Sequence, residues 1–194
     1  MATKEDILEQ IVEEYLLHQG YFVRHNIKFL PRRDHPDFKL NQDSNHSDID
    51  VLALHPFKQG PDRVMAVSCK SWQVGFNPAV EIRSIESKAT RRGREAWRGF
   101  RELVVPKWSE AFVAAIERET GSTTFTYVTA VTKLVGNGAI WENHPAFVTA
   151  MQGNPIKLLE FSTMLREIEQ QLGTTLAATH VGRLLQLVKA SRGI

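Results

Sequence analysis

The chain has 194 residues, 42% of them hydrophobic, with a formal net charge of +2 at pH 7 and a pI near 8.7. That length and apolar fraction suit one globular domain with a full core, and so small a net charge leaves any nucleic-acid footprint to local clustering. A lone cysteine, Cys69, excludes an internal disulfide and points to a reducing, cytoplasmic setting; the charged start MATKEDILEQ lacks a signal-peptide core, and no apolar run is long enough for a membrane span.

In chain order, Ile7, Leu8, Ile11, Val12, Tyr15 and Leu16 recur at helical spacing and predict a helix over 4–19 that Gly20 stops. YFVRHNIKFL (21–30) predicts a strand, and residues 31–47 a polar loop with two prolines. DIDVLAL (48–54) and RVMAVSCKSW (63–72) are apolar runs flanking HPFKQGPD, whose glycine and prolines suit a hairpin connection. Asn77-Pro78 predicts a helix start, asparagine as cap and proline at the first helical position, with the helix running to about Leu103 and ended by Pro106. WSEAFVAAIERE predicts a second helix that stops at Gly121. TTFTYVTAVTKLV (123–135) and IKLLEF (156–161) predict strands, and helices around 162–172 and 178–191 close the chain. This order predicts an α/β domain with a mixed central sheet whose first three strands meander, followed by additional C-terminal helices.

Pairing 48–54 with 64–70 around Gln59-Gly60 sets Asp50 opposite Ser68 and Asp48 opposite Lys70, all on one face of the sheet. Ile49, Val51, Val67 and Cys69 then point to the other face. Carboxylates beside a lysine, on strands with a buried opposite face, suit Mg²⁺ or Mn²⁺, which take oxygen ligands and keep waters that become nucleophiles. A nearby lysine can position such a water or stabilise charge on a phosphate. The plainer reading of the same pattern is an acid–lysine cross-strand pair on a solvent-facing sheet.

Helix 4–19 with Gly20-Tyr21, then SDIDVLAL, then AVSCKSW, resembles the PD-(D/E)xK nuclease superfamily, above all its Mrr-type and Holliday-junction-resolvase-type branches. The resemblance covers roughly residues 4–135 and implies a restriction-endonuclease-like αβββαβ core within a single domain. It implies Asp50 as the metal-binding aspartate, Lys70 as the lysine and Glu9 as the first-helix acid; in such a site Asp48 would be an auxiliary ligand or a partner to Lys70. Position 68 departs from the family pattern, with serine where Asp or Glu is expected. Some restriction endonucleases with Ser-x-Lys recruit a glutamate from the following helix, which leaves Glu81 and Glu86 as alternative replacements. Pro36-Asp37 lies in the polar loop with no strand after it and does not take the motif's place.

Residues 78–105 carry Arg83, Lys88, Arg91, Arg92, Arg94, Arg98 and Arg101 against four glutamates. Lys88, Arg91, Arg92, Arg94 and Arg98 suit contacts with the DNA backbone, with Gln73 as a further phosphate contact at the site's rim. A solvated helix face with Arg91–Glu95 and Arg98–Glu102 pairs accounts for the same residues. The seven histidines show no zinc-ligand spacing, and GNG at 136–138 is too short for a phosphate loop. Two functions therefore stand: a metal-dependent DNA endonuclease, or a catalytically degenerate nuclease-fold module that binds nucleic acid or a protein. Either is compatible with a homodimer through the C-terminal helices, whose leucines can equally cover the chain's own sheet.

Overall fold

Leu8, Ile11, Val12 and Leu16, which recur at the i, i+3, i+4 spacing of one helical face, form the buried side of helix α1 (Ile7–His18). The structure is a computed structural model that describes residues 7–91 and 93–192, with Arg91 described by its backbone alone. Strand β1 (Phe22–Phe29) leads into the polar loop, which holds the short helix α2 (Leu40–Asp43). Strands β2 (Ser47–Leu54) and β3 (Val64–Lys70) form the expected hairpin, closed by a 3₁₀ turn at Gly60–Arg63. Val51 pairs with Val67, Leu52 with Ala66, Ala53 with Met65 and Leu54 with Val64, the register read from the sequence.

The long helix expected to reach Leu103 is instead a series of short elements. Helix α3 (Pro78–Glu86) starts as predicted, the Asn77 side chain accepting from the Val80 amide at 3.2 Å. A two-stranded ribbon follows, β4 (Thr90–Arg91) and β5 (Arg94–Glu95), then a 3₁₀ turn over Ala96–Phe100 and helix α4 (Arg101–Val104). Lys88 takes a φ of 51° just beyond α3, and Gly93 turns the ribbon at φ 77°. Both lie in the left-handed region, where an α-helix cannot continue. Pro106 opens helix α5 (Pro106–Thr120) rather than merely ending what precedes it. Strand β6 (Thr126–Val131) is followed by helices α6 (Ala139–Glu142) and α7 (Pro145–Ala150), in a stretch where no element was expected. Strand β7 (Ile156–Glu160) and helices α8 (Phe161–Gln171) and α9 (His180–Ser191) complete the chain.

The main sheet runs β1-β2-β3-β6-β7 and is mixed: the first three strands are antiparallel, and β3–β6 and β6–β7 are parallel. Every residue of β6 is buried, as expected of a parallel strand covered on both faces. On one face Leu52, Ala66, Tyr127 and Val131 pack with Phe100, Phe112, Ile116 and Trp141. On the other, Val51, Val67, Val128 and Ala130 pack with Leu8, Ile11 and Val12 of α1 and with Met164 and Ile168 of α8. Val181 and Leu185 of α9 join this second cluster, while Leu184 and Leu187 stay exposed. Ile49 departs from the expected alternation. It packs with Ile27 and Phe29 in the first cluster, not with Val51 and Val67. The β1–β2 ladder passes from His25–Val51 to Ile27–Ile49 and omits Asn26, whose φ is 55°, together with Asp50. That local break changes the side to which the strand presents its residues.

Candidate active site

Asp50 sits where both of its ladders lapse, since the β2–β3 pairing begins only at Val51–Val67. There its carboxylate takes up a backbone group of the neighbouring strand, Oδ2 accepting from the Cys69 amide at 2.6 Å. Two residues along β3 in alternation, Ser68 and Lys70 share one face; Lys70 Nζ donates to Ser68 Oγ at 2.8 Å. The same ammonium lies 5.0 Å from the centroid of the Phe100 ring, a cation–π contact that helps hold the lysine stem. Asp48, Asp50, Ser68 and Lys70 all line one cavity of about 250 Å³, together with His46 and Ser47 at the start of β2. Arg98, Gly99 and Glu102 close its other side.

Glu102 is the member that sequence reasoning did not single out as an acid of the site. It stands on α4, is buried, and accepts from the Tyr127 hydroxyl at 2.7 Å through Oε1. Burial raises its carboxyl above the usual range; the Lys70 charge and the Tyr127 hydrogen bond work against that rise, and the Asp50 charge adds to it. Burial, and next the Glu102 carboxylate, push the Tyr127 hydroxyl well above its ordinary value, so it serves as a hydrogen-bond donor. Beneath them Trp141 Nε1 donates to Thr129 Oγ1 at 3.1 Å. Phe76, Phe100 and Trp141 pack edge to face with one another in the core on the same side of the sheet.

The other expected acids lie elsewhere. Glu9 belongs to α1, which covers the opposite face of the sheet, and it does not line the cavity. Glu81 is buried near the start of α3 and Glu86 is exposed at its end, where it pairs with His144 at 3.4 Å; neither lines the cavity. The buried acid that does line the cavity, Glu102, comes from α4, which the chain reaches only after leaving the helical path beyond α3 and passing through the β4–β5 ribbon and a 3₁₀ turn. Among the expected DNA contacts, Arg98 reaches the cavity, while Lys88, Arg94 and Gln73 are exposed outside it. Arg92 and the Arg91 side chain lie outside the described residues.

The potential ligands lining the cavity are mostly oxygens, from Asp48, Asp50, Glu102, Ser47 and Ser68, with the His46 imidazole as one nitrogen. That set fits Mg²⁺ or Mn²⁺ better than zinc or copper. Among the described residues no group of three or more His, Cys, Asp or Glu side chains stands ready to hold a metal ion. Mg²⁺ asks for less, since one or two carboxylates and several waters usually suffice. No protein-family model matches the chain, and comparisons with curated proteins and with solved structures find no match either. Among the described residues no helix is long and apolar enough to cross a membrane.

Proposed function

We propose that the chain is a metal-dependent endonuclease of the PD-(D/E)xK type, with a restriction-endonuclease-like core, that hydrolyses phosphodiester bonds in DNA. The observation that carries this reading is the meeting of Asp50, the Ser68–Lys70 pair and Glu102 on one cavity at the β2–β3 hairpin. Asp50 and Glu102 would hold Mg²⁺ or Mn²⁺, Glu102 supplying the acid that position 68 lacks, with Asp48 as an auxiliary ligand. A bound divalent ion supplies a water of lowered pKa and neutralises charge on the phosphate. Lys70, anchored on Ser68 and Phe100, offers its ammonium to the attacking water or to the phosphate. Arg98 at the rim neutralises a neighbouring phosphate. A homodimer through the exposed Leu184 and Leu187 is compatible with the same reading, because two paired active sites can cut both strands of a duplex together.

A non-cutting nucleic-acid or protein-binding module is the second reading. The serine at position 68, a weak metal ligand, favours it, and the burial of Glu102, which disfavours its charged form, weighs the same way. The deciding experiment compares wild type with Lys70→Ala on supercoiled and linear DNA in Mg²⁺, Mn²⁺ or EDTA. Metal-dependent cutting by wild type alone supports the nuclease. DNA binding without cutting in any metal supports the second reading, and equal cutting by both proteins overturns the assigned site.

A further inference from the structure

A second cavity, of about 390 Å³, lies against the first and shares Arg98 with it. Its size falls within the range of small-ligand sites, roughly 300–1,000 Å³. One wall is apolar, made by Ile85 of α3 with Val104 and Val105 at the end of α4. The Trp97 ring, with the Arg98 guanidinium carbon 5.3 Å from its centroid, gives a flat second wall. Nucleobases stack on surfaces of both kinds, aromatic rings and guanidinium planes.

The polar lining consists of Gln42, Lys88, Glu95 and Arg98. Arg98 Nε donates to Glu95 Oε2 at 3.1 Å, and hydrogen bonds from Arg98 and then Trp97 hold the Glu95 carboxyl below its ordinary value. Glu95 is therefore an ionised, acceptor-only group beside the flat wall. The Gln42 amide, at the pocket's margin, can both donate and accept. An amphipathic pocket with a flat wall, one obligate acceptor, one amide, the Lys88 ammonium and a guanidinium shared with the neighbouring cavity matches one nucleotide, base and phosphate together, drawn out of a strand.

We propose that this pocket receives a single unstacked nucleobase carrying an exocyclic amine (adenine, cytosine or guanine) from the DNA strand whose phosphate lies in the neighbouring cavity. The inference rests on the reading that the chain acts on DNA, and it adds the substrate class: strands with an unpaired or easily extruded base. The Glu95 carboxylate accepts from the amine, as carboxylates do from cytosine N4. Thymine, without an amine, fits least well. Extrusion costs least where the base is already unpaired, which makes a bulge the favoured site.

The test measures anisotropy of labelled duplexes in EDTA, where metal-dependent cutting is absent. Each duplex carries one central unpaired A, C, G or T, or none. Duplexes with unpaired A, C or G should bind roughly tenfold more tightly than the paired duplex, the scale of one base stacked on an aromatic ring. Trp97→Ala should remove that advantage and leave paired-duplex affinity in place, Trp97→Phe should keep part of it, and Glu95→Gln should erase the discrimination against T. Gln42→Trp, at an exposed position, fills the pocket without entering the core and guards against a folding defect in Trp97→Ala. Equal affinity for paired and bulged duplexes, an advantage that survives both Trp97→Ala and Gln42→Trp, or no binding to any duplex overturns the proposal. Competition by AMP or CMP at concentrations comparable to the oligonucleotide also overturns it, by assigning the pocket to a free nucleotide. Metal-dependent cutting without any bulge preference sinks this inference and spares the nuclease; bulge preference without cutting does the reverse.

Discussion

Replacing Glu102 by glutamine separates what this residue does for folding from what it does for chemistry. The amide oxygen can accept from Tyr127 as Oε1 does now at 2.7 Å, so a hydrogen bond worth about 1 kcal/mol survives. The variant should unfold within a few degrees of wild type, at roughly 2–4 °C per kcal/mol for a chain of this size. Glu102→Ala instead leaves the buried Tyr127 hydroxyl without that acceptor, at a cost of about 1–3 kcal/mol, and opens a cavity as well. Burial raises the native Glu102 carboxyl above its unfolded value, so the native state binds the proton more tightly. Its contribution is full below the unfolded pKa and is lost as pH rises through the folded one. Glutamine carries no such slope, so urea melts across pH should show Glu102→Gln gaining on wild type as pH rises. Cutting should nevertheless fall at least ~10–100-fold, the loss seen when even an outer-shell partner of a metal site is removed. Undiminished cutting with the wild-type metal response would place Glu102 in the core alone and refute its role as the replacement acid.

Three further outcomes follow from other parts of the molecule. Ser68→Asp in the Glu102→Gln background returns an acid to the strand position; cutting should recover at least tenfold over Glu102→Gln alone, about 1.4 kcal/mol of barrier, and no recovery would mean the two positions do not serve one ligand role. Lys107 and Asp43 form a buried pair at 2.5 Å, with Trp108 Nε1 and the Lys39 amide also donating to the carboxylate. Lys107→Ala leaves that charge unpaired, and should cost about 3–5 kcal/mol in urea unfolding. Burial works to raise the Asp43 carboxyl, but the Lys107, Lys39 and Trp108 contacts outweigh it and hold it low. Its contribution is thus present above the unfolded pKa and lost as pH falls through the folded one, so the gap between wild type and Lys107→Ala should narrow in acid. Finally, a Cβ at Gly182 would meet the Glu14 carboxylate and come within 2.7 Å of the Ala177 Cβ. Glu14 is buried, accepts from Thr179, and Thr179 in turn caps α9 through the Gly182 amide at 2.9 Å. Gly182→Ala should therefore loosen α9, seen as faster amide exchange over 180–191 with β3 and β6 unchanged; uniform protection would show that the helix end adjusts freely.

Local chemistry made much of this molecule legible in advance. The helical stripe of α1, the Asn77-Pro78 start of α3, the hairpin turn near Gly60 and the apolar run of β6 are all written within a few neighbouring residues. The turn near Gly60 set the β2–β3 register from Val51–Val67 to Leu54–Val64, and alternation along β3 put Ser68 and Lys70 on one face; Asp50 reaches the same cavity although the alternation of β2 breaks at that residue. The break after α3 was not legible, since the spacing of Ile82, Ile85 and Ala89 still suits a helix while Lys88 and Gly93 take left-handed conformations. Nor was the identity of the third acid. Glu81, Glu86 and Glu102 are alike in type and all follow β3 in the chain; only the packing of α4 against β6 and the Tyr127 hydroxyl brings Glu102 to the cavity. Periodicity reports which way a residue points within its own element. Which distant element it then meets is decided by the closing of the core, where Phe100, Trp141 and Tyr127 take up their places together.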